Sequence, residues 1–178
     1  IEQNGELTTI TSSRPALNIY LYDGGTLSNR IYGTSTTTAT KTWKASAFQA
    51  EFEQVSIELT LQSRRAGSDD SWQNAAAPVK KGDFIAENLT ITVSDTVPQY
   101  DAWGQLLEYR WVESAVYQGE ASQDNLLTAD ADGGTFTLEQ SGRQIKYRSV
   151  AQVLADGSTL ITNSIANTID YRVEKVWL

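Results

Sequence analysis

The sequence predicts an all-β protein, an antiparallel β-sandwich. Residues that favour strands, such as Thr, Val, Ile, Tyr and Trp, are plentiful, and the strand-like runs are short. Glycines separate these runs, as turns between strands require. No stretch has the apolar spacing of a convincing amphipathic helix. With 178 residues, the chain is also long enough to bury a sizeable core.

The predicted strands alternate between apolar and polar residues, which turns one face of each strand toward a core. The first such run places Leu17, Ile19 and Leu21 on one face. Isolated strands of this kind are marginally stable, so we expect them to pack within the chain or against a neighbouring molecule. Later strands are predicted near residues 39–43, 55–61, 109–113 and 161–165.

Three polar side chains occupy inward-facing positions in these strands: Lys41, Glu113 and Asn163. A buried Lys, Glu or Asn must find a partner or be very costly. If the three meet one another, the available chemistry is amide formation between the Lys amine and the Asn carboxamide, with Glu as the proton carrier. That chemistry predicts a self-crosslinking structural domain rather than an enzyme. The inward neighbours of the three residues are Ala39, Trp43, Tyr109, Trp111, Ile161 and Ile165.

The alternative is that these residues are a coincidental set. In that case Lys41 would extend to solvent and Asn163 would belong to a strand end or a turn, as a register shift of one residue would allow. Lys44 is the other candidate lysine, but it falls on the opposite face from Trp43.

The composition excludes several function classes. The chain has 22 acidic and 14 basic residues, a net charge of −8, so it lacks the basic stripe of a nucleic-acid-binding protein. It contains no Cys and no His, which excludes disulfides, thiol nucleophiles, Ser-His-Asp triads and ordinary zinc sites. We therefore predict no metal and no cofactor. The sequence contains no secretion signal and no apolar run that could insert into a membrane, and we expect it to be a segment of a longer protein.

A segment near the N-terminus recurs near the C-terminus. Asp23-Gly-Gly-Thr-Leu matches Asp156-Gly-Ser-Thr-Leu, and, after one inserted residue, Asn163 and Lys175 lie 134 residues after Asn29 and Lys41. A period of this size indicates tandem domains rather than a short-unit solenoid.

The repeat predicts three parts of the chain. Residues 1–37 are the last strands of a preceding repeat, or strands added to the main domain. Residues 38–169 are one complete domain, and residues 170–178 start the next repeat. Asn29 and Lys175 would be half-sites of neighbouring repeats; alternatively, they are ordinary surface residues.

Several short motifs follow one another in a recognisable order: Lys41-Thr-Trp43, Tyr109-Arg-Trp-Val-Glu113 and Ile161-Thr-Asn163, with the run 55–61 between the first two. In this order they resemble the Cna B-type repeat of Gram-positive cell-surface adhesins and pilins. The chain departs from the family at Val97-Pro98, where the family has Leu-Pro, and in the longer segment 119–156.

The resemblance implies a reversed immunoglobulin or transthyretin-like sandwich over residues 38–169. It further implies that the first and last strands are adjacent and joined by an intramolecular isopeptide bond between Lys41 and Asn163, with Glu113 as the catalyst.

The function expected from this resemblance is that of a stalk or shaft domain in an adhesin or pilin on a bacterial, Gram-positive cell surface. Its partners would be neighbouring repeats, with a host ligand held by a distal domain. One alternative is a module that itself binds a host protein or glycan, for which exposed aromatics at Trp72 or Trp103 would be the sign. Another is an accessory domain of a secreted enzyme.

Overall fold

A computed structural model describes residues 17–23, 26–45, 49–50, 52–77, 79–130 and 134–166. Within these ranges a short 3-10 helix lies at Gln123–Asn125, and none of the described helices is long and apolar enough to cross a membrane. The strands are β1 (Leu17–Asp23), β2 (Thr26–Tyr32), β3 (Thr34–Lys44), β4 (Val55–Arg65), β5 (Gln73–Asn74), β6 (Val79–Phe84), β7 (Thr90–Pro98), β8 (Leu107–Gln118), β9 (Thr135–Gln140), β10 (Arg143–Val153) and β11 (Thr159–Ile165).

Two sheets form the sandwich, and the predicted all-β, Ig-like fold class is confirmed. One sheet has the strand order β7-β3-β11-β10-β9. In the other, β8 runs along one side of β4, and β6 and β5 pair with the opposite side. Strands β1 and β2 form a separate antiparallel hairpin.

One strand pair departs from the predicted antiparallel arrangement. Strand β3, the first of the sandwich, and β11, the last, are adjacent and parallel. Adjacent first and last strands are what the resemblance implied. A tight hairpin can join only antiparallel strands, whereas parallel strands need a long connection. The whole domain lies between β3 and β11 in the sequence, so these two strands can pair in parallel.

The two faces of β3 carry different side chains, and this difference determines how the strand packs. Its side chains alternate, so that Ala39, Lys41 and Trp43 are buried. The outer residues Thr38 and Thr42 instead pair with hydroxyl side chains of β7, at 3.0 and 3.1 Å. Such cross-strand pairs stabilise the outer face and fix the register between the two strands.

Trp43 lies at the centre of the core, two residues after Lys41. Its ring centroid lies 5.4 Å from that of Phe52, 6.2 Å from Phe84, 5.8 Å from Phe136 and 5.2 Å from Tyr147. Edge-to-face and tilted contacts of this kind are favourable beyond the burial of apolar area. This packing holds the backbone of β3 firmly next to the lysine.

A β-bulge interrupts the pairing of β8 with β4. Leu59 pairs with Glu113 and Glu58 pairs with Ala115, so Ser114 is the extra residue. A bulge shifts the inward and outward alternation of the strand by one residue. Accordingly, Glu113 faces inward before the bulge, whereas Val116 is buried after it.

Strand β2, in the hairpin formed with β1, corresponds in sequence to β11. Asn29 lies within β2, where its backbone pairs with Tyr20; its side chain and residues 167–178, which include Lys175, lie outside the described part of the chain. A single residue, Gly33, connects β2 to β3. Strand β3 begins at Thr34, before the predicted boundary at residue 38, and the division into repeats stays a prediction.

Candidate crosslinking site

Two members of the predicted reactive set lie on neighbouring parallel strands. Ile161 of β11 pairs with Lys41 of β3, and Asn163 pairs with Trp43. Because both strands place alternate residues inward, Lys41 and Asn163 project from the same face of the sheet into the core. Both residues are fully buried, with 0% relative exposure.

The third member, Glu113, reaches them from the opposite sheet. Its Oε1 lies 2.8 Å from Nζ of Lys41 and accepts a hydrogen bond of 3.1 Å from Nδ2 of Asn163. Two atoms at these distances from one oxygen are at most the sum, 5.9 Å, apart. The structure therefore brings the amine, the carboxamide and the carboxylate into one buried cluster.

A hydrogen bond between the sheets, from a backbone N–H to a side-chain hydroxyl, holds β8 in this position. Trp111, two residues before Glu113, donates its backbone N–H to Oγ1 of Thr159, the first residue of β11, at 3.2 Å. On the other side of Glu113, Ser114 is anchored because Oγ1 of Thr60 donates to its hydroxyl at 2.9 Å. These contacts fix β8 on both sides of the carboxylate.

The environment of Lys41 favours its neutral form. Desolvation by burial lowers the pKa of Lys41 from 10.5 to about 8, although the charge of Glu113 and its hydrogen bond partly oppose this shift. Nζ also lies 5.0 Å from the ring centroid of Trp43. A lysine with this pKa has an appreciable neutral fraction near neutral pH, and only the neutral amine is a nucleophile.

Asn163 is held at one end of its carboxamide only. Nδ2 donates to Glu113, whereas the buried Oδ1 has no hydrogen-bond partner among the described residues. A half-turn of the carboxamide would bring Oδ1 to Glu113, where a protonated carboxyl could donate to it. If a nucleophile attacked the carboxamide carbon, negative charge would develop on Oδ1, and this oxygen would then need a hydrogen-bond donor.

The other lysines whose side chains are described lie outside this cluster. Lys44, the alternative lysine on β3, is exposed on the outer face. Lys146 pairs with Asp130 near the surface, with 42% of its side chain exposed. Of the lysines whose side chains are described, Lys41 is therefore the one placed to react with Asn163.

The β-bulge and the contacts at Thr60 and Thr159 were not predicted from the sequence. The signal for the bulge is weak, because it consists only of a break in alternation between Glu113 and Val116. The two aromatic residues singled out earlier lie apart from the cluster: Trp103 is exposed in a turn, and Trp72 stacks with Arg64 and Arg110.

No protein-family model matches this chain, and no curated protein matches it. The similarity to Cna B-type repeats stays a prediction that depends on the motifs quoted above. The function is therefore inferred from the geometry of the buried cluster.

Proposed function

We propose that this chain is a structural stalk domain, locked by a single, self-catalysed amide bond between Lys41 and Asn163. The observation that supports this most strongly is the position of Glu113, one of whose oxygens contacts both the amine and the carboxamide in a buried site. A salt bridge alone would not require an Asn on the neighbouring strand. An amide exchange requires all three groups.

The reaction begins with transfer of a proton from the Lys41 ammonium to the Glu113 carboxylate across their contact. The neutral amine then attacks Cγ of Asn163, and the protonated carboxyl donates a hydrogen bond to the developing charge on Oδ1. Glu113 next gives its proton to the leaving amino group and takes one from the attacking nitrogen. The C–N bond to that group breaks, ammonia leaves, and an amide joins the two side chains.

The fold supplies the proximity that this exchange needs. Well-oriented groups reach effective molarities of about 10⁵ M or more, which compensates for the poor reactivity of a carboxamide. Because each domain reacts once, there is no substrate and no turnover. The chain is therefore a crosslinked structural element and not an enzyme.

The benefit of such a bond is mechanical. It would join the first and last strands of the sandwich, so that tension entering at the start of β3 and leaving at the end of β11 passes through an amide. The bond also closes a loop of 122 residues, from 41 to 163. By analogy with disulfides, closure of such a loop stabilises the fold by roughly 4–5 kcal/mol.

A single-molecule pulling experiment tests this role. Force is applied through handles at the two ends of the chain, and the gain in length on unfolding is measured. The wild type should not release residues 41–163, whereas Glu113→Ala should extend by about 400 Å more, given about 3.5 Å for each released residue. Equal extensions for the two proteins would contradict the proposal.

This function fits the surface of a bacterium, with neighbouring repeats as partners and a host ligand bound by a distal domain. A domain that carries load outside the cell gains from a bond that needs neither cysteine nor an oxidant.

One observation favours a second candidate, a domain that itself binds a ligand. Trp103 is 78% exposed, and Leu106 close by is 53% exposed. Exposed aromatic residues of this kind are found at binding sites for proteins and sugars. Binding of a host protein or glycan by the isolated chain, lost in Trp103→Ala, would support this alternative.

A further inference from the structure

A groove with a volume of about 500 Å³ opens on one side of the sandwich. One wall is the part of β8 from Val112 to Val116, which includes Glu113, and the other includes Ser149 and Ala151 of β10. The groove lies where β9 stops pairing with β10 at Arg148; beyond that residue, no described strand pairs with β10 on that side. Its rim is open to solvent, since Ala151 is exposed.

The groove reaches the reactive cluster at Glu113. Lys41 and Asn163 are completely buried and are not among the residues that line the groove. Glu113 contacts both of them, lines the groove, and retains 5% exposure of its side chain. A path from the cluster to solvent therefore runs along this carboxylate.

We propose that this groove is the passage through which ammonia leaves the site and small polar molecules reach it. The inference depends on the proposed crosslinking reaction, which must expel one ammonia molecule from a buried position. Ammonia released next to Glu113 would enter the groove directly. Ser149 and Thr128 are among the residues that line it, and a hydroxyl side chain can both donate and accept a hydrogen bond.

Access through the groove is tested by chemical rescue of Glu113→Ala. This variant removes the carboxyl group and should stay uncrosslinked after purification. Added formate or acetate can then enter through the groove, occupy the vacated space and carry the proton in place of Glu113. We expect at least a tenfold faster loss of ammonia than without the acid, on the scale of general acid–base catalysis. Intact mass recorded over time gives the rate.

Filling the groove provides the control. Ala151→Trp, added to Glu113→Ala, should reduce the rescue at least tenfold, because the indole would fill the passage. Ala155→Trp introduces the same side chain at another exposed alanine, in the turn after β10 and away from the groove, and should leave the rescue unchanged. Rescue that is absent, or equal in both tryptophan variants, would overturn the proposal.

A second measurement covers the case in which Glu113→Ala does not fold. Ala151→Trp in the otherwise wild-type chain is synthesised in a cell-free reaction, and its mass is followed from the moment of synthesis. Crosslinking should be several-fold slower than in Ala155→Trp. Equal rates would refute the passage, whereas a wild type that never loses ammonia would refute the crosslinking function itself.

Discussion

Two lysine–carboxylate pairs in this molecule have the same nitrogen–oxygen distance but different surroundings. Nζ of Lys41 lies 2.8 Å from Glu113, and Nζ of Lys146 lies 2.8 Å from Asp130. The first pair has side-chain exposures of 0% and 5%, and the second has 42% and 33%. The difference between the two pairs is thus burial and not distance.

Burial decides what each pair can do. The exposed pair is solvated by water, so its attraction is screened and contributes little to stability. The buried pair has lost that solvation, which lowers the pKa of Lys41 and makes a neutral amine accessible. Buried ion pairs are weak evidence for stability, so the retention of Lys41 and Glu113 in the core calls for a chemical explanation.

The largest effect is expected from removal of the buried lysine. Lys41→Met should abolish the loss of ammonia and lower the free energy of unfolding by roughly 4–5 kcal/mol, because the crosslink that restrains the unfolded chain is gone. Denaturant unfolding and intact mass measure the two results. A variant as stable as the wild type would show that the lysine carries no crosslink.

The next largest effect is the pH dependence of stability that the buried charge of Lys41 causes. In Asn163→Ala, which cannot crosslink, Lys41 keeps its pKa of about 8 in the folded state against 10.5 in the unfolded state. The unfolded state binds more protons between these values, so stability should rise with pH over this window, by about 3 kcal/mol in total. Below pH 8 the cost of the buried charge is present in full.

The matched control for this titration is Asn163→Ala combined with Lys41→Met. The two variants contain the same other titrating groups, so the difference between the two unfolding profiles reports the pH dependence that requires Lys41. Parallel profiles between pH 8 and 10.5 would contradict the lowered pKa.

A smaller effect is expected at the β-bulge that directly follows Glu113. Thr60→Val removes the hydroxyl that donates to Ser114 and should cost about 1 kcal/mol of stability. Thermal unfolding of crosslinked protein would measure it. A change within experimental error would mean that the remaining contacts of the bulge, including those from the Ser114 hydroxyl to Glu58, are sufficient to hold it.

The smallest effect is expected at the exposed pair. Lys146→Met should change the free energy of unfolding by less than about 1 kcal/mol and should leave the loss of ammonia complete. If Lys146→Met destabilised the protein as much as Lys41→Met, burial would not be what distinguishes the two pairs.

Composition and the short strand-like runs predicted the sandwich, and alternation along the strands predicted the inward positions of Lys41, Glu113 and Asn163. It does not reveal which strands are neighbours, so the parallel pairing of β3 with β11 required the structure. The bulge at Ser114 depends on the register between two strands distant in sequence, which local pattern does not encode. The groove beside Glu113 could not be predicted from the sequence either, because it depends on the residue at which β9 stops pairing with β10.

The central claim, a covalent bond between Lys41 and Asn163, is tested most directly by mass spectrometry of the purified chain. We predict that the intact wild type is lighter than its sequence mass by one ammonia molecule, and that digestion yields a branched peptide joining Lys41 to Asn163. Glu113→Ala should have the full sequence mass and yield two separate peptides. A wild type with the full mass, in which the two peptides remain separate, would contradict the account.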